Sequence, residues 1–170
     1  MRHSSLEIGA GSEILSQALR AIRKKRGMTA VQVAGAMGMA VRTFEDFEAG
    51  RGPVTHDRIF AFADATDSDP FALILCPTFK SAALAIDCAE TKLVMIMMMH
   101  LEEFVEREGG DITFLEPPLV IGGFERLFKE LSATLENREA FLQNWLAQRT
   151  GTIGLSTLRL RGVKRRPGRS

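Results

Sequence analysis

The chain has 170 residues and 45% hydrophobic content, enough for the core of one ordinary domain or two small ones, which excludes disorder of the whole chain. Twenty-two basic against 21 acidic residues leave a net charge of +1, so any nucleic-acid preference must come from local clustering rather than an overall field. Two cysteines, Cys76 and Cys88, are too few for a disulfide scaffold and lack the paired spacing of a zinc site, which suits a reducing cytosol.

Met1–Ser12 is polar and Gly-containing, with no apolar core of signal-peptide length, and it is expected to lie outside the fold as a disordered N-terminus. The greasiest run, Leu93–Met99, is seven residues long and is stopped by His100, Glu102 and Glu103. A membrane span needs about 20 residues, so no membrane partner is expected and the location implied is the cytoplasm. Charge is unevenly placed: residues 1–80 hold ten basic and nine acidic residues, 81–150 hold six and twelve, and 151–170 hold six and none. An acidic middle before a wholly basic end implies different partners for different parts of one chain.

In chain order, Ser12 precedes an apolar stripe at helical spacing, Ile14, Leu15, Ala18, Leu19 and Ile22, and the helix should stop at Gly27 after a basic last turn. Short helices follow at about Ala30–Met37 and Val41–Ala49, separated by Gly38 and closed by Gly50–Pro53, which spells two helices joined by a tight turn. Thr55 can cap a further helix to Ala65, with Ile59, Phe60, Phe62 and Ala63 inward, and Asp69-Pro70 can open another to about Cys76. From Ser81 to Glu108 the pattern predicts one long helix, apolar almost all round between Leu93 and Met99 and so sequestered on most sides. Asp111–Pro118 reads as a connection with a short extended piece at Ile112–Leu115, and helix resumes from Pro118 to Gln148 with a break near Asn137. The absence of tyrosine and the scarcity of period-two runs argue against a sheet.

Thr29 through Arg51, with Ala34 small where two helices cross, Gly38 at the turn, Val33, Met37, Phe44 and Phe47 apolar, and Glu48-Ala-Gly50-Arg51 at the end, resembles the helix-turn-helix of the XRE family of phage-repressor-like regulators. The resemblance covers about residues 13–76. It implies a five-helix phage-repressor-like domain at 13–77; with the helical pattern that continues beyond it, the chain is expected to be all-α, with a helical association domain at 78–150 and a basic tail at 151–170 whose composition marks it as disordered. The resemblance also implies a repressor-like transcription regulator associated with the nucleoid, and no reaction, cofactor or metal is expected.

In this motif the second helix enters the major groove, and its exposed early residues meet base edges. By resemblance, Ala40, Val41, Arg42, Glu45 and Asp46 take the base-reading positions. Arg42 has the donors for guanine, Val41 can touch a thymine methyl, and Glu45 can accept from a cytosine amino group. Arg23, Lys24, Lys25, Thr43 and Arg51 are the phosphate candidates, though Arg20 or Arg23 can instead pair with Glu48. Two departures matter: Ala30 stands where many members carry a phosphate-bonding Gln, and Glu45 with Asp46 bring two carboxylates toward a polyanion. A protein-interaction module that uses the same fold without reading DNA is therefore the rival function, and a transcription-machinery or regulator protein its partner.

Other chemistries find little support. Three histidines, His3, His56 and His100, include no pair at metal-binding spacing, and Gly9-Ala-Gly11 lacks the third glycine and strand of a dinucleotide fingerprint. Cys88 lies four residues before Lys92, a cation that can activate a thiol, but an inert buried cysteine is the commoner outcome. The cluster Leu93, Met95, Ile96, Met97, Met98 and Met99 is expected to be a dimer interface within residues 81–150, because one small layer cannot hide it. The tail, Arg159 to Arg169, interrupted by Gly162, Pro167 and Gly168, is expected to be a mobile arm that adds salt-sensitive DNA contacts.

Overall fold

The computed structural model describes residues 4–150; the expectations for the tail at 151–170 lie outside the described residues. Those residues form eight α-helices and no strand: α1 Ser4–Lys25, α2 Ala30–Ala36, α3 Val41–Glu48, α4 His56–Ala65, α5 Pro70–Leu75, α6 Ala82–Thr91, α7 Leu93–Glu108 and α8 Pro117–Thr150, with a 3-10 helix at Gly109–Phe114. They fall into two compact units, one ending at Gly109 and one beginning at Gly110.

The first unit is built on three phenylalanines. Phe44 and Phe47 of α3 and Phe62 of α4 are fully buried, with ring centroids 6.4–6.5 Å apart. Leu15, Leu19 and Ile22 of α1 and Val33 and Ala34 of α2 close around them, so the 3.6-residue periodicity of each helix meets at one centre. The same buried cluster continues through Leu73 of α5 and Cys76 at its C-cap into Ala85, Cys88 and Ala89 of α6, which packs back on α1 and α5.

Helix ends follow their sequence signals where the signal is local. Gly27 at φ +66° ends α1, with its N–H donating to the Lys24 carbonyl and that of Met28 to the Arg23 carbonyl. Thr55 caps α4 through the Arg58 N–H, and Asp69 caps α5 through those of Phe71 and Ala72. At α2, Thr29 and Gln32 form a reciprocal capping box, Gln32 Oε1 accepting from the Thr29 N–H at 2.8 Å and Thr29 Oγ1 from the Gln32 N–H at 3.2 Å.

Four expectations need correction. First, α1 starts at Ser4 and not after Ser12, which lies inside the helix and whose hydroxyl donates to the Gly50 carbonyl at 3.0 Å. Second, the helix expected over Ser81–Glu108 is two, because Lys92 adopts the left-handed conformation (φ 53°, ψ 29°) between α6 and α7. Tertiary partners hold this kink: the Lys92 ammonium pairs with Asp67 at 2.8 Å, and Asp69 Oδ2 accepts from the Val94 and Met95 N–H groups at 2.8 and 3.1 Å. The fully buried Asp69 carboxylate thus caps α5 with one oxygen and α7 with the other. Third, the piece expected to be extended at Ile112–Leu115 lies mostly in the 3-10 helix; fourth, α8 runs through Asn137 without a break.

The Leu93–Met99 run is not sequestered as its composition suggested. Leu93 and Val94 pack partly on the core, while Ile96, Met98 and Met99 are exposed, and no residue of α7 is fully buried. With Leu101, Val105 and Phe71, Met98 and Met99 line an open apolar groove of about 380 Å³. No helix among the described residues is long and apolar enough to cross a membrane.

Candidate nucleic-acid interface

Buried residues of α2 and α3 and one turn set the position of α3. Ala34 is fully buried in α2, and Gly38 at φ +65° redirects the chain, its N–H donating to the Gly35 carbonyl and that of Met39 to the Ala34 carbonyl. A Cβ at Gly38 would meet nothing within 4 Å, so glycine is needed there for its conformation and not for space. Phe44, Phe47 and Glu48 face inward from α3, which turns Ala40, Arg42 and Glu45 to solvent, with Val41, Thr43 and Asp46 at the margin. Ala40 is the N-cap and makes no side-chain cap bond, leaving the first N–H groups of α3 to solvent or to a ligand.

The charges on this face are organised. Arg42 is 83% exposed and its Nε lies 3.6 Å from Asp46 Oδ2, one helical turn on. Arg51 binds the other oxygen of Asp46, with Nη2 at 2.8 Å and Nε at 3.1 Å. Asp46 therefore sits between two guanidinium groups, and its charge is largely compensated before any polyanion approaches. Glu45 has no ion-pair partner among the described residues and is the carboxylate that a phosphate would meet uncompensated. An exposed i,i+4 pair such as Arg42–Asp46 is worth only about 0.3–0.5 kcal/mol, so Arg42 can leave it for a base edge at little cost.

The basic run of α1 divides by partner. Arg23, expected among the phosphate contacts, is instead a structural residue: its Nε and Nη2 donate to Glu48 at 2.6 and 3.0 Å, and its Nη1 donates to the Met28 carbonyl at 3.1 Å. Both side chains are largely buried, and hydrogen bonding to Glu48 raises the Arg23 pKa above its ordinary value. Arg26 is likewise committed, donating to the carbonyls of Thr66 and Asp67 at 2.8 and 2.6 Å. Lys25 makes a solvated pair with Glu90 at 3.1 Å, and Lys24 is exposed without an ion-pair partner among the described residues. Of the phosphate candidates, Lys24, Lys25, Thr43 and Arg51 retain solvent-facing groups, while Arg23 is withdrawn by burial.

Residues 14–70, a third of the chain, match the family model described as a helix-turn-helix domain. This segment is a helix-turn-helix domain. The match begins within α1 and ends as α5 opens, so it takes in both helices of the motif and the buried aromatic centre. No curated protein and no solved structure gives a significant match to the chain.

Gln32 belongs to the interface helix pair but was not singled out from sequence. The Thr29-x-x-Gln32 spacing was the available signal. Its Oε1 is used by the cap, while its amide nitrogen makes no hydrogen bond among the described residues and faces solvent at the start of α2. Both thiols are buried: burial pushes the Cys76 pKa up to about 11 and raises that of Cys88, whose neighbour Lys92 is directed to Asp67.

Proposed function

We propose that this protein is a sequence-specific, operator-binding transcriptional regulator of repressor type, cytoplasmic and nucleoid-associated, acting as a homodimer and not as an enzyme. The observation that carries the reading is the α3 face: a glycine-redirected helix with an uncapped N-terminus and Arg42 standing out beside a compensated Asp46. Arg42 would donate bidentately to guanine, Glu45 would accept from a cytosine amino group, and Ala40 and Val41 would fit thymine methyls. Asp46 would position Arg42 and Arg51, a narrower role than base reading. Lys24, Lys25, Thr43 and Arg51 would hold the backbone, which fixes register without carrying sequence.

Residues 13–77 would then read DNA and 78–150 associate, with the basic tail adding contacts. The Met-rich cluster offers less to a partner than expected, since Leu93, Met95 and Met97 are half-buried and only Ile96, Met98 and Met99 are exposed. The test is a binding-selection assay on random duplexes. Arg42→Ala should cost about 1–3 kcal/mol on the preferred site and relax one base position, while Lys24→Ala weakens all sequences alike. Glu45→Gln should strengthen random binding more than specific binding. If Arg42→Ala and Glu45→Gln both leave site preference untouched, the α3 face does not read sequence and the protein-interaction role takes its place.

A further inference from the structure

The second unit contains one long helix and an apolar stripe. Along α8, Ile121, Phe128 and Leu135 recur every seven residues, and Phe124 and Leu131 follow the first two by three. This is the a/d spacing of a helix that pairs with another. Val120, Leu127 and Phe141 run along one side of the seam, whereas Gly122 and Gly123 lie away from it. The seam side chains are exposed, from 39% at Leu131 to 67% at Leu135, and Phe124 and Phe128 stack along it with ring centroids 6.3 Å apart. Helices in proteins draw most of their stability from packing of an apolar face, and two adjacent glycines weaken this one, so a 34-residue helix with an exposed stripe calls for a cover.

We infer that the cover is a second copy of this chain, with α8 pairing antiparallel to α8 of the partner subunit. Size is the first argument. The eight large apolar side chains of the stripe and its flank can each bury on the order of 100 Å², roughly 800 Å² per partner, the area of a standard stable interface.

The second argument is Arg138, which lies one heptad after Leu131 and so falls in the seam beyond Leu135. A parallel, in-register pair would set two Arg138 guanidinium groups against each other inside the seam. Reversing one helix with full overlap instead places Arg138 against Phe128 of the partner subunit, where a cation meets an aromatic face. The same reversal sets Leu131 against the partner's Leu135, Leu127 beside the partner's Phe141, and Thr134 beside the partner's Thr134. Antiparallel helix dipoles add to the preference.

The pairing rests on the homodimeric reading proposed above and needs no DNA, so it is measured on the full chain without DNA, by light scattering and sedimentation at micromolar concentration. The wild type should be a dimer, and Phe128→Glu or Leu135→Glu should raise its dissociation constant roughly 100-fold or more. Leu119→Glu, at an equally exposed apolar residue off the seam, should leave the dimer intact. Orientation is read separately by oxidising single-cysteine variants, since Cys76 and Cys88 are buried. Thr134→Cys should give a covalent dimer and Phe124→Cys, which faces its own copy only in a parallel pair, should not. A monomeric wild type, equal loss from Leu119→Glu, or the reverse cross-linking pattern would overturn the inference. If the seam variants dissociate as expected and the wild type selects no DNA sequence, the regulator reading falls while the pairing stands.

Discussion

Replacing Asp69 by Asn tests how the first unit is tied together. The buried carboxylate accepts four backbone N–H groups: Phe71 and Ala72 on Oδ1 at 3.1 and 3.0 Å, and Val94 and Met95 on Oδ2 at 2.8 and 3.1 Å. Asn keeps the shape and the first pair, but it turns an amide N–H₂ toward the second, so two charge-assisted bonds are lost and donors face donors. Each such bond is worth about 1.5–3 kcal/mol. The half-buried start of α7 lets water recover part of this. A net loss of about 2–4 kcal/mol follows, or a fall in Tm of roughly 10–20 °C for a unit of this size. Asp69→Ser should behave similarly, because its hydroxyl can cap α5 but cannot reach α7. Urea unfolding gives the energy, and hydrogen exchange at the Val94 and Met95 amides shows whether the loss sits where it should. A loss under about 1 kcal/mol, or unchanged protection at those two amides, would refute the double-cap account.

Two further perturbations follow from the same structure. Arg23→Ala should cost about 2–3 kcal/mol in denaturant unfolding, because it leaves the largely buried Glu48 charge unpaired, whereas Lys24→Ala next to it should change stability by less than about 0.5 kcal/mol. Between them they separate the structural from the solvent-facing cations of α1. Stability should also fall as pH rises from about 9 to 11, since the unfolded Cys76 thiol ionises first while the buried one stays protonated until about 11. The contribution is on the order of 2–3 kcal/mol, is fully present below the unfolded pKa, and should be reduced in a Cys76→Ala variant compared over the same pH range.

The helix-turn-helix was legible because its signals are local. Gly27, Gly38 and Gly50 all adopt positive φ, Thr55 and Asp69 cap the helices they precede, and the apolar positions of α1 to α5 converge on Phe44, Phe47 and Phe62. Those features need only the stereochemistry of a few neighbouring residues, so α2 and α3 could be bounded to within a residue and the exposed face of α3 read from its inward phenylalanines. Even Gln32, overlooked, was marked by the spacing of a capping box.

Distant partners decided the rest. Nothing in the run Ser81–Glu108 announces a stop at Lys92, a good helix former; the left-handed turn is held by Asp67 and Asp69, more than twenty residues earlier. The basic run of α1 looks uniform, yet Glu48 and two loop carbonyls withdraw Arg23 and Arg26 while Lys24 stays in solvent. Asp46 reads as a repulsive carboxylate until Arg51 closes on it from beyond the Gly50 turn. Local sequence could set where α2 to α5 begin and which way they face, because backbone sterics and periodicity act over a few residues. Which charge is neutralised, and where a continuous apolar pattern breaks, depended on groups that only tertiary packing brings within hydrogen-bonding distance.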